Sequence, residues 1–140
     1  MKKKVAFVCT HNSCRSIMAE GWAKHLGRDI MEVYSAGTEK YSGPKPLALE
    51  VMKDAGVNME HAASKLLDDI PQSLDILITM GCGVECPFVP CDYREDWGLE
   101  DPSGGPKSGF EKTRDIVKDK VINLIERIKN GEFEWKIINQ

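Results

Sequence analysis

Val8-Cys9-Thr10-His11-Asn12-Ser13-Cys14-Arg15-Ser16 sets a cysteine, five intervening residues, an arginine and a hydroxyl between a short apolar run and a helical pattern. Val5 to Val8 reads as a buried strand and Ile17 onward as a helix, so the loop between them turns its backbone N–H groups toward one point, an anion site. A cysteine at the start of such a loop feels the helix N-terminus and the Arg15 charge, and both favour thiolate over thiol. Alone, Cys9 would pass for a small hydrophobe ending a strand. Arg15 and Ser16 overturn that reading, because their spacing returns a guanidinium and a hydroxyl to the same loop, and a guanidinium grips a tetrahedral oxyanion through paired hydrogen bonds. Cys9 is therefore a candidate nucleophile aimed at a bound oxyanion. Asn12 tolerates the left-handed backbone that a tight loop needs. Thr10, His11, Asn12, Ser13, Cys14, Arg15 and Ser16 are the oxyanion-binding candidates, with Cys14 either among them or packed behind the loop, and His11 either a donor or turned to solvent.

Outward from this loop the pattern alternates strand and helix. Met18, Trp22 and Leu26 fall on one helical face with Ala19 and Ala23 beside them, and Gly27 reads as the stop. Ile30 to Ser35 reads as a second strand, Pro46 to Ala55 as a helix opened by proline and closed by Gly56, and Leu74 to Met80 as a third strand. A short fourth strand is expected near Pro87 to Pro90. Phe110, Val117, Val121, Leu124 and Ile128 mark a long amphipathic C-terminal helix. The alternation implies an α/β fold, a flavodoxin-like, doubly wound, four-stranded parallel sheet with helices on both faces, whose ligand sits outside the carboxyl ends of the strands. Cys9 and Cys82 then meet at one edge.

The loop, Ser35-Ala36-Gly37 after the second strand, and Asp101-Pro102 resemble the low-molecular-weight tyrosine phosphatase superfamily. Within it, the wording of the loop followed by Thr79-Met80-Gly81-Cys82-Gly83-Val84-Glu85-Cys86-Pro87 is similar to the thioredoxin-coupled arsenate reductases. The resemblance runs from Lys4 to about Lys129. It implies catalytic roles for Cys9, Arg15 and Asp101, the last as the acid that protonates the leaving oxygen. It also implies a thiol relay: Cys82 attacks the Cys9 adduct, Cys86 moves the disulfide outward, and thioredoxin or a similar dithiol reduces the exposed pair. Cys91 is the alternative third thiol. The implied ligand is arsenate, with phosphate or sulfate as competing oxyanions. His11, where many phosphatases carry glycine, and Ser103-Gly104-Gly105, where the tyrosine phosphatases commonly carry paired tyrosines, tilt away from a protein substrate. Asn12, Glu20, Ser35 and Ser64-Lys65 match a region that in some relatives holds a potassium ion behind the loop. Lys65 stands where those relatives carry an aspartate, so its ammonium is expected to take the cation's place close to Glu20.

The bulk properties agree. A chain of 140 residues is expected to form one domain. A net charge of −3 offers no footprint for nucleic acid or an anionic membrane, although Lys2-Lys3-Lys4 makes a small basic start. The apolar run after those lysines is too short for a signal peptide or a membrane span, which points to the cytoplasm. Five cysteines without a signal argue for reactive or metal-binding thiols instead of a static disulfide framework. Zinc on Cys82, Cys86 and Cys91 lacks a nearby fourth ligand, since His11, His25 and His61 are distant in sequence, so no metal and no cofactor is expected. Three readings remain at this level: a reductase, a low-molecular-weight phosphatase, and a non-enzymatic thiol sensor for arsenite or zinc.

Overall fold

The computed structural model describes residues 2–12, 14–39, 43–60, 62–81 and 90–133. The elements run β1 (Lys3–Cys9), α1 (Arg15–Gly27), β2 (Met31–Gly37), α2 (Pro46–Asp54), a single 3-10 turn at Leu67–Asp69, β3 (Leu74–Thr79), β4 (Cys91–Asp96) and α3 (Lys107–Lys129). The four strands form one parallel sheet in the order β2-β1-β3-β4. The expected parallel α/β architecture is what the chain adopts.

Alternation along the strands sorts side chains to the two faces. Val5, Phe7, Ile76 and Ile78 join the larger core with Met18, Trp22, Met52, Val117, Val121 and Leu124 of the three helices. Ala6, Val8, Leu74 and Leu77 form a smaller cluster with Ile70, packed against Leu67. Both faces are covered, but among the described residues all three α-helices gather on one and the 3-10 turn lies on the other. The helices are also tied to one another through backbone carbonyls. Trp22 Nε1 donates to Arg114 O at 3.1 Å and Arg114 Nη1 to Val51 O at 3.0 Å.

One expectation needs correction. The fourth strand is Cys91–Asp96, not the apolar stretch ending at Pro90; Pro87 to Val89 lie outside the described residues. Four of its six residues are charged, which suits an edge strand whose outer side faces water. α1 ends at Gly27, as expected. That residue is buried, and a Cβ there would lie 2.4 Å from Met31 Cε and 3.0 Å from Ile125 Cδ1, so the glycine serves close packing of α1 against β2 and α3. Gly56, by contrast, has φ +84° just past α2, as a terminating glycine does.

The first residues after α3 dock on the sheet edge. Phe133 stacks edge-on to Tyr93 with ring centroids 5.1 Å apart, under the Arg127 guanidinium. Arg127 in turn donates to Glu95 at 2.9 Å, and Glu95 also accepts from the Tyr93 hydroxyl and the Trp97 indole, each at 2.7 Å.

Candidate active site

The loop between β1 and α1 closes over the carboxyl end of the sheet. Asn12 takes the left-handed conformation, φ 52°, and all of its polar groups are engaged. Its N–H donates to Cys9 Sγ at 3.2 Å, its Nδ2 to Ser16 Oγ at 2.9 Å, and its Oδ1 accepts from the Lys65 N–H at 2.7 Å. Its carbonyl accepts from the Ser64 hydroxyl at 2.7 Å. Because Ser16 Oγ already accepts from Asn12, its own hydroxyl proton is available to Cys9 Sγ, 2.9 Å away. The sulfur is thus held by a backbone N–H and a hydroxyl at the foot of a helix.

Arg15, with 7 % of its surface exposed, is fixed from the opposite side. Nη1 donates to Met80 O at 3.0 Å and Leu99 O at 2.9 Å, while Nη2 lies 3.8 Å from Asp101 Oδ2 across the cleft. Carbonyls from the ends of β3 and of the segment after β4 therefore orient the fork. The cleft, about 510 Å³, is lined by Cys9, Thr10, His11, Arg15, Gly81 and Asp101 among others. Thr10 is on its wall, and His11 sits at the mouth with Nε2 3.2 Å from Glu39 Oε2, so it faces a carboxylate at the surface. Ser13 is outside the described residues.

Two neighbours differ in acidity. Cys14 is buried, and its thiol is pushed up to about 12, first by burial and then by the nearby charges of Asp101 and Cys9. It stays protonated, although it lines the same cleft as Cys9. Partial burial raises Asp101, but hydrogen bonds from the Ser103 hydroxyl and N–H, with the charges of Arg15 and Lys45, outweigh that and hold it below the usual carboxylate range. In the resting cleft Asp101 is a carboxylate facing a guanidinium.

Behind the loop, Glu20 accepts the Ser35 hydroxyl at 2.9 Å and pairs with Lys65 Nζ at 3.5 Å and Lys24 Nζ at 3.4 Å. Lys65 Nζ also donates to Ala63 O at 2.8 Å. The carboxylate that a potassium ion would use is already engaged by ammonium groups, so the residues present do not fit that ion.

Cys82 and Cys86 lie outside the described residues. The chain leading to them does not: Gly81 lines the cleft beside Cys9. Cys91 pairs in register with Leu74 at the amino end of β3, whereas Val8 pairs with Thr79 at its carboxyl end. Five residues of strand, roughly 16 Å, separate those two levels, which places Cys91 at the opposite edge of the sheet from Cys9. Among the described residues no group of three His, Cys, Asp or Glu gathers to hold a metal ion.

Several contributors were not visible in the sequence. The carbonyls of Met80 and Leu99 that orient Arg15 come from 65 and 84 residues away, and main-chain acceptors leave no residue-type signal. Gly37 had a signal in Ser35-Ala36-Gly37, but not its reason: a Cβ there would stand 2.7 Å from Thr10 O, 2.8 Å from His11 C and 2.9 Å from Asn12 N.

Comparison with known proteins bears on this geometry. Residues 4–133 match the family model described as low molecular weight phosphotyrosine protein phosphatase. The chain is 42 % identical over 130 residues to an arsenate reductase of Staphylococcus aureus strain Newman, covering 90 % of this chain and 98 % of that one. Among solved structures, it is similar to an arsenate reductase in a phosphate-binding state, with TM-score 0.82, 41 % identity and 91 % and 99 % of the two chains covered. It is also similar to a thioredoxin-dependent arsenate reductase of Corynebacterium glutamicum, with TM-score 0.79, 33 % identity and 93 % and 63 % covered.

Proposed function

Because the chain belongs to the low molecular weight phosphotyrosine protein phosphatase family, and to the part of it populated by arsenate reductases, we propose that it reduces arsenate to arsenite through a relay of its own cysteines. One observation carries the choice over a phosphatase: Gly81, whose next residue is Cys82, lines the same cleft as Cys9 and Arg15. A reductase needs a second thiol to attack the nucleophile's adduct, and a phosphatase does not.

In this reading the loop N–H groups and the Arg15 fork bind the oxyanion, with phosphate and sulfate competing. The Cys9 thiolate attacks arsenic and an oxygen leaves as water. Asp101 passes a proton to the leaving oxygen, having taken it up from solvent once the anion is bound. Once a polyanionic ligand takes up the Arg15 charge, its repulsion raises the carboxyl and draws a proton onto it. The Cys82 thiolate then attacks Cys9 Sγ. The sulfur–arsenic bond breaks with its electron pair going to arsenic, so arsenite leaves and a Cys9–Cys82 disulfide remains. Cys86 attacks Cys82, Cys9 is freed, and the Cys82–Cys86 disulfide takes two electrons from thioredoxin or a similar dithiol. The position of Cys91 at the far edge of the sheet supports Cys86 as the third thiol. Such a relay works where reductant is abundant, which supports a cytoplasmic setting; no helix among the described residues is long and apolar enough to cross a membrane.

The relay is tested by serine substitution. Cys86→Ser should release one arsenite per chain and stall as a Cys9–Cys82 disulfide, Cys82→Ser should release essentially none, and Cys91→Ser should turn over repeatedly with thioredoxin. A Cys82→Ser protein that reduces arsenate at the native rate would refute the scheme. Full p-nitrophenyl phosphate hydrolysis with no arsenite from the native protein would favour a phosphatase.

Lys65 is proposed to support the loop in place of a cation. Exchanging sodium for potassium at constant ionic strength should leave the native melting temperature unchanged. Lys65→Asp, which puts a second carboxylate beside Glu20, should cost about 1–3 kcal/mol in sodium and recover part of it in potassium. A gain of several degrees for the native protein in potassium would reject this role.

A further inference from the structure

Asp96, the last residue of β4, pairs in register with Thr79, the last residue of β3. Its Oδ1 accepts two hydrogen bonds, from Thr79 Oγ1 at 2.7 Å and from the Gly81 N–H at 2.8 Å. Gly81 has φ +81°, and a Cβ on it would lie 2.6 Å from both Gly98 Cα and Leu99 N. The chain thus leaves β3 through a left-handed residue pressed against the Gly98-Leu99 backbone. The next backbone contacts run the same way: Trp97 N–H donates to Thr79 O at 2.9 Å and Leu99 N–H to Met80 O at 3.2 Å. On its carbonyl side the same exit is held by Arg15 Nη1, which reaches Met80 O at 3.0 Å and Gly81 O at 3.5 Å.

The residue just before Cys82 is therefore gripped at its amide by Asp96 and at its carbonyl by the arginine that binds the oxyanion. A strand end that needed only a turn would not require a carboxylate to bridge two strands and fix one amide beyond them. Resting on the arsenate-reductase reading, we infer that Asp96 is a positioning residue for electron transfer: it fixes the amide of Gly81, which lines the cleft with Cys9 and through which the chain continues to Cys82. Asp96 touches neither the oxyanion nor the reacting sulfurs. Its loss should leave oxyanion binding alone and slow the Cys82 attack.

Single-turnover mixing with arsenate, without external reductant, reads that attack as arsenite release, and calorimetry with inorganic phosphate reads the oxyanion site. Asp96→Ala should slow arsenite release by roughly tenfold or more, the scale expected when a reacting group is misplaced by less than an ångström. Its phosphate affinity should stay within about twofold of native. Asp96→Asn, whose amide oxygen still accepts both hydrogen bonds, should restore most of the rate. Asp96→Ser, too short to reach Gly81 but still polar at the sheet edge, gives a second truncation should the alanine protein fail to fold. Native-rate arsenite release by the truncated proteins overturns the inference, as does a phosphate affinity that falls in step with the rate. A native protein that binds phosphate but releases no arsenite overturns the arsenate reading, and the inference with it.

Discussion

Arg15→Ala is expected to abolish arsenate turnover and to lower the melting temperature together, because one side chain serves both the ligand and the frame. Losing a donor aimed at an oxyanion costs about 10²–10³-fold in rate, and Arg15 offers two arms of one fork. The structural part is separate. Nη1 donates to Leu99 O at 2.9 Å and, at 3.0 Å, to Met80 O, which keeps the Leu99 N–H, so removing the guanidinium strands the Leu99 carbonyl in a nearly buried setting at a cost of about 1–3 kcal/mol. Arg15→Lys should recover some of the stability, since an ammonium can meet one carbonyl, but little of the activity, since a point charge cannot grip carbonyls and oxyanion at once. Cys9→Ser provides the contrast: an equal loss of activity, with near-native stability and retained phosphate binding. Chemical melting curves and single-turnover arsenite release on the three variants separate these effects. Arg15→Lys turning over at the native rate would show that the fork is not what holds the ligand.

Gly37→Ala should be nearly as damaging although it changes one methyl group outside the loop. Gly37 pairs with Cys9 across β1 and β2, and the flanking chain is sewn to the loop by Thr38 N–H to Cys9 O at 3.2 Å and Glu39 N–H to Thr10 O at 2.8 Å. The methyl would stand under 3 Å from backbone atoms of Thr10, His11 and Asn12, which cannot turn aside as a flexible side chain can. The loop must lift, and with it the N–H groups that form the anion site. Overpacking of this kind costs about 1–3 kcal/mol, and an ångström of displacement at a reacting centre costs about 10²-fold in rate. Phosphate affinity and arsenite release should fall together. A Gly37→Ala protein with native phosphate affinity would show that the loop has slack that the packing does not suggest.

What could be read from the sequence follows from how local each signal is. The β1–loop–α1 unit was legible because strand, turn and helix signals fall within twenty-odd consecutive residues, and because Asn12 names the one left-handed position among the non-glycine residues described. The Lys65–Glu20 pairing was legible only through the resemblance, since the two lie 45 residues apart, and it appears at 3.5 Å. β4 was misplaced because its burial alternates under charged residues at a sheet edge, while the apolar residues before it drew the assignment. Gly27 marks the end of α1 by residue type, while its close packing against Met31 and Ile125 is a second reason for glycine that only the folded chain shows. Asp101 was assigned as an acid from its family position; its resting ionised state follows from Ser103, Arg15 and Lys45, a combination that only the folded chain assembles.

Peptide mapping reads whether arsenate is reduced by thiols of this chain in a fixed order. Native protein is treated with one equivalent of arsenate without reductant, quenched with an alkylating agent, digested and mapped, with arsenite measured in the same sample. One arsenite should be released per chain, with Cys82 joined to Cys86, and Cys9 and Cys91 alkylated as free thiols. A Cys82–Cys91 bridge, or arsenate left unreduced with no disulfide formed, would contradict it.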